Sequence, residues 1–287
     1  MSAARFAYYP GCAAEATVKE ADRAMQAIAP LLGLELQPFE SMTCCGAGVL
    51  HEEQPDVSLA LNARNLAIAE RAGLDLLTLC NTCLLTMVKA QHELKSNPAL
   101  AGRINESLAK FDLHYEGRVR VRHLLWVLAE DVGPEAIRAL VKKPLTGMRI
   151  APFYGCHILR PEEVLGFEDD RDPDSMERII EALGAEPVRY DARTECCGFH
   201  VMLVNKPATT NMVGQCLGGA RDKGADLMVT PCTLCQLTLD SYQYLADKTR
   251  EKPLKLPVLH LPQLMGMAFG LDDRALGFNK HLVAVAP

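Results

Sequence analysis

Cys44-Cys45-Gly46 and Cys196-Cys197-Gly198 are one short phrase written twice in a chain of 287 residues. Upstream of the first stands Gly11-Cys12, and downstream Cys80-Asn81-Thr82-Cys83. Around the second stand Gly155-Cys156 and Cys232-Thr233-Leu234-Cys235. The double cysteine and the C-x-x-C are 34 residues apart in both halves, whereas the leading cysteine is 31 residues ahead in one and 39 in the other. Ten of the 11 cysteines thus belong to a five-cysteine motif used twice.

The flanks repeat as well. Phe6-Ala7-Tyr8-Tyr9-Pro10 and Ile150-Ala151-Pro152-Phe153-Tyr154 are short apolar runs that end at Gly-Cys, and each reads as a strand. The segments 72–80 and 223–232 read as a turn and a buried strand that ends at a C-x-x-C. A third strand-helix unit is expected at 118–125 and 256–262, where His123 and His260 match and read as helix-cap or core-edge residues. Helical patterns fill 14–32, 57–72 and 84–94, then 175–183, 209–223 and 234–246. This alternation predicts an α/β fold of two pseudo-symmetric repeats, each a small parallel sheet flanked by helices, with functional loops at the C-terminal ends of the strands. Pro144 and Gly147 interrupt the pattern, so the expected domains are 1–145 and 146–287.

Composition narrows the chemistry. Apolar residues make up 49% and charged residues 23% of the chain, a globular balance, and a net charge of −6 argues against a nucleic-acid binder. Neither a secretory signal nor a membrane span is legible, so a cytoplasmic location is expected. Cysteines there stay reduced, which points to metal rather than to disulfides. Thiolates suit both iron–sulfur clusters and zinc, but each is commonly held by four cysteines, and a fifth with two in tandem suits a multinuclear iron cluster better. Zinc in one half is the alternative. Ten thiolates also need cations to compensate their charge, and helix starts at Leu84 and Gln236 would add favourable backbone amides. Cys216, outside the motif, reads as a buried thiol. Gly214-Gln215-Cys216-Leu217-Gly218-Gly219 lies in a helical pattern and fails the context of a dinucleotide-binding turn, so electrons are expected from partners.

With both five-cysteine motifs complete, the sequence from Phe6 to about His260 resembles the cysteine-rich CCG-domain proteins, the B subunit of heterodisulfide reductase among them. The resemblance implies two noncubane four-iron four-sulfur clusters, one on Cys12, Cys44, Cys45, Cys80 and Cys83, the other on Cys156, Cys196, Cys197, Cys232 and Cys235. It implies an oxidoreductase component that cleaves or forms a disulfide, or handles lipoate-bound sulfur as in sulfur-oxidising complexes, in paired one-electron steps. Implied partners are a ferredoxin-like protein of the C type, a flavoprotein of the A type and a lipoate-binding protein. The competing function is electron relay or assembly within a dehydrogenase complex, without substrate contact. His157 and His200, beside the second set, are expected as proton donors, and Lys206 and Arg221 are weaker candidates for holding an anionic group.

Overall fold

The computed structural model describes residues 4–285. Strands β1 (Ala4–Tyr9), β2 (Leu34–Pro38), β3 (Asp75–Thr78) and β4 (Val121–His123) make one sheet in the order β2-β1-β3-β4. Strands β5 (Arg149–Pro152), β6 (Glu186–Pro187), β7 (Leu227–Thr230) and β8 (Val258–His260) make another in the order β6-β5-β7-β8. Every pairing is parallel, which fits the α/β repeat expected from sequence. The central strands are mostly apolar because helices cover both faces: Leu76, Leu77, Met228 and Val229 are completely buried.

Each sheet has one strand more than the pattern announced. β2 and β6 are edge strands, short and ending in proline, with only part of their side chains buried. Such strands carry little apolar signal, and proline is tolerated at an edge. The helix expected over 14–32 is broken into Cys12–Ala16 and Lys19–Ile28, and the one over 234–246 into Thr233–Ser241 and Gln243–Ala246. The helices after the C-x-x-C motifs begin earlier than expected, at Asn81 and Thr233. Cys80 and Cys232 are therefore their N-caps, and Cys83 and Cys235 lie in the first turn.

The two sheets share one core. Helix Leu261–Ala268 of the second half packs on helix Lys19–Ile28 of the first, and buried Gln236 donates to Glu20 at 2.9 Å. The matched histidines close the same seam. They sit opposite Thr78 and Thr230 in register, and each starts a helix, His123 by accepting from the Leu125 amide at 3.1 Å. His260 Nε2 donates to the carbonyl of Leu79, 3.1 Å away in the other half and one residue before a C-x-x-C. Burial lowers both imidazoles, His123 to about 3 and His260 to about 4, so both stay neutral hydrogen-bonding groups. Replacing His260 with alanine strands a buried carbonyl and should cost about 1–3 kcal/mol in denaturant unfolding. His260→Gln, which keeps a donor, should recover part of the loss.

Candidate metal centre

Each half brings its five cysteines together by the same local devices. The leading cysteine follows a strand end, at a glycine with φ of +84° (Gly11) or +72° (Gly155). A Cβ at either glycine would lie 3.1 Å from the last cysteine sulfur of its own half, Cys83 or Cys235. Glycine is thus required twice over, for its backbone and for the sulfur packed against it. The double cysteine is held from behind in the first half by Tyr9, whose hydroxyl donates to the Thr43 carbonyl at 2.7 Å, and by Asn62 Nδ2, which donates to the Cys45 carbonyl at 2.8 Å. In the second half Thr209 donates to the Gly198 carbonyl at 3.1 Å and the Cys216 thiol to the Cys196 carbonyl at 3.7 Å. Cys216 is buried, as expected, and braces the motif without joining it.

The ten sulfurs form a continuous line. Cys12 and Cys44 are 3.5 Å apart, Cys44 adjoins Cys45, Cys45 and Cys83 are 3.6 Å apart, and Cys83 adjoins Cys80. Cys80 then meets Cys232 of the other half at 4.0 Å, and the line continues in mirrored order through Cys235, Cys197, Cys196 and Cys156. Its middle is buried, while Cys12 and Cys44 at one end are exposed and Cys156 and Cys196 at the other are partly so. All are free thiols. Five sulfurs in each half, two of them in tandem, exceed the four that a tetrahedral zinc ion takes, and this donor set suits an iron–sulfur cluster.

Backbone amides point at the sulfurs in matched pairs. Gly46 N–H donates to Cys44 at 3.4 Å and Gly198 N–H to Cys196 at 3.3 Å; Ala47 and Phe199 serve Cys45 and Cys197, and the helix amides of Cys83 and Cys235 serve Cys80 and Cys232. The amides foreseen at the helix starts are therefore in place. Hydrogen bonding to their neighbours, Cys12 and Cys156 first, pulls Cys44 and Cys196 down to about 2. Cys80 is pushed up to about 11, chiefly by its bond to Cys232. Cys44, Cys196 and Cys232 are held down while the thiols next to them are pushed up, as expected where negative charges lie closer than they can all ionise.

His157 and His200 do come together, and they do so over a residue of the first half. Thr82 Oγ1, in the first C-x-x-C, is 3.0 Å from His157 Nδ1 and 3.4 Å from His200 Nε2, and the ring centres are 5.0 Å apart. Thr82 is buried and His200 is exposed, so the three form a polar path from the second cysteine set to the surface. Nothing in the sequence of Thr82 or Asn81 marked them, because their partners lie in the other half. Lys206 is exposed at a helix start, and the Arg221 guanidinium donates to the carbonyl of Leu254.

Two cavities adjoin the cysteines. One of about 220 Å³ opens beside Cys12 and Cys44 and carries Glu15, Asp22 and Glu40 on its walls. The other, about 10 Å³, lies at the seam between Thr82, His157, His200 and the second cysteine set, with no cysteine of the first set in its lining.

A double sheet with a five-thiol nest at each set of strand ends defines the class, and comparison with known proteins agrees. The CCG cysteine-rich domain matches twice, at residues 6–88 and 150–240, and the chain belongs to that family. It is 42% identical to the 8-methylmenaquinol:fumarate reductase membrane anchor subunit of Wolinella succinogenes, over 97% of this chain and 96% of that one. It is 34% identical to a protein of Archaeoglobus profundus that is named for its likeness to the B subunit of heterodisulfide reductase, over 93% and 91%. It is 29% identical to the B subunit of a heterodisulfide reductase of Methanosarcina acetivorans, over 98% and 94%. A hypothetical protein from Helicobacter pylori shares the fold, with a TM-score of 0.78 at 19% identity over 98% of this chain and 52% of that one. Among the described residues no helix is long and apolar enough to cross a membrane.

Since a side chain at Gly11 or Gly155 would displace one sulfur of one nest, Gly11→Ala and Gly155→Ala should each lower iron and labile sulfide by about half in anaerobically purified protein. Full iron in both variants would contradict the geometry.

Proposed function

We propose that this chain is the iron–sulfur electron-transfer component of a multisubunit oxidoreductase, with one noncubane four-iron four-sulfur cluster on Cys12, Cys44, Cys45, Cys80 and Cys83 and a second on Cys156, Cys196, Cys197, Cys232 and Cys235. Bound there, the clusters supply one-electron steps. The observation that carries this reading is the line of ten sulfurs that is buried in the middle and reaches the surface at both ends. The chain's own part is to neutralise and orient the clusters through matched amides, to exclude water from the Cys80–Cys232 seam and to hold a proton at the His157–Thr82–His200 group.

The leading reading for the complex is a quinol-linked dicarboxylate reductase or dehydrogenase, in which this chain relays electrons between a quinol and a flavoprotein through a ferredoxin-like partner. It is supported by the similarity to the Wolinella protein, which exceeds that to the heterodisulfide reductase proteins over a similar length. The acidic wall of the cavity at Cys12 points the same way, being ill suited to an anionic thiol coenzyme. The second reading is disulfide or lipoate-bound sulfur chemistry, with His157 and His200 as proton donors to a leaving thiolate. It is favoured by the completeness of both motifs and by the heterodisulfide reductase relatives. In either case we propose a cytoplasmic location, where partners connect the chain to other pools.

Anaerobic protein should contain about eight irons, as two four-iron clusters require. In the native complex, paramagnetic signals from these clusters should respond to a short-tailed naphthoquinol and to fumarate. A response to thiols alone would favour the disulfide reading, and zinc without iron would sink the cluster assignment. His157→Ala and His200→Ala should lower turnover by about 10²-fold with iron retained, the scale of a lost proton-transfer group; undiminished turnover would remove the histidines from the mechanism.

A further inference from the structure

The two nests match in their sulfurs but not in what surrounds them. Counted from the matched cysteines, His157 stands where the first half has Ala13, His200 where it has Gly48, and Thr82 where the second half has Leu234. All of these polar groups gather on the second nest. A further one there lacks a partner: Asn81 Nδ2 donates to the Tyr154 carbonyl at 2.7 Å, which fixes the amide, and leaves Oδ1 buried with no hydrogen-bond partner among the described residues. Asn81 is 1% exposed and lines the small cavity together with Thr82, His157 and His200. An acceptor in that position calls for a ligand that donates a hydrogen bond.

The mouth of this polar group is apolar. A Cβ on Gly48 would lie 3.8 Å from His200 Nδ1, and the next residue, Val49, is 65% exposed. Leu203 and Val204, three and four residues beyond His200, are 78% and 86% exposed. Large aliphatic side chains this bare, flanking a buried polar group, mark a binding surface rather than ordinary exterior. Glu52, on the helix that begins at Val49, acts on His200, so an anionic head group is disfavoured there. The cavity itself, about 10 Å³ and lined by all five cysteines of the second nest, has room for no more than one water, so a ligand's ring stands at the exposed His200 edge and only a hydroxyl reaches inward.

We propose that the second nest alone carries the substrate site, and that it takes a neutral amphiphile of the quinol class, its hydroxylated ring at Asn81, Thr82, His157 and His200 and its tail along Val49, Leu203 and Val204. The first nest is then the relay that faces the electron-transfer partner. This deepens the quinol-linked reading above and rests on it.

The test is calorimetric binding of a prenylated naphthoquinol, menaquinol-1, to the full chain purified anaerobically with its clusters and reduced with dithionite. Protein and ligand are both in the reduced state, so that no electrons are exchanged. Binding to wild type is expected at one site. Leu203→Ser with Val204→Ser should weaken it about tenfold, since one aliphatic contact is worth at least that, and these exposed changes leave iron content intact. Thr82→Val should weaken it similarly and Thr82→Ser restore it, while Phe111→Ser, an exposed apolar residue on another surface, should leave it unchanged. Binding that persists undiminished in the Leu203/Val204 and Thr82→Val proteins overturns the placement and leaves the quinol reading standing. Absence of binding to wild type overturns both.

Discussion

Cys80 and Cys232 approach within 4.0 Å in the buried centre of the molecule, and this contact between two thiols from different halves is the constraint around which the rest is arranged. Each is the N-cap of a helix at the end of a central strand, so its sulfur receives amide hydrogen bonds that reduce the cost of holding charge away from water. The residue before Cys80 is held by His260 from the opposite half, and Asn81 reaches across to Tyr154. With Gln236 and Glu20 paired elsewhere in the interface, the polar bonds between the halves fix the separation of the two nests.

Pseudo-symmetry governs the parts that hold metal. The glycine before each leading cysteine, the amides facing the double cysteine and the helix turn after each strand recur in equivalent places, with the last sulfur at an identical distance from a would-be Cβ. Because hydrogen bonds to sulfur and local charge set reduction potential, matched donors would give the two proposed clusters similar starting environments. What separates them is the remainder: an acidic, open cavity at Cys12 and Cys44, and a polar group rimmed by aliphatic side chains beside Cys156 and Cys196. Matched nests with unequal surroundings suit the directional relay proposed above.

Much of this architecture was legible along the chain. A strand end, a Gly-Cys, a double cysteine and a C-x-x-C repeat at nearly constant spacing because backbone geometry ties a ligand to a local turn, and local turns are written in local residues. The strands β3 and β7 carry short, mostly apolar runs that are buried. The edge strands β2 and β6 escaped notice because little of their surface is buried, and burial is what leaves a pattern in sequence.

The sequence by itself thus determined the two-fold α/β repeat, and it singled out the ten repeated cysteines and set His157 and His200 beside cysteines of the second half. Only the tertiary structure decided that the nests touch through Cys80 and Cys232, that Thr82 and Asn81 of the first half serve the second, and that His260 spans the seam. The physical reason is range. Motifs record contacts made within a turn or two of the chain, whereas these contacts join residues 73 to 181 positions apart and leave no periodic trace in either partner.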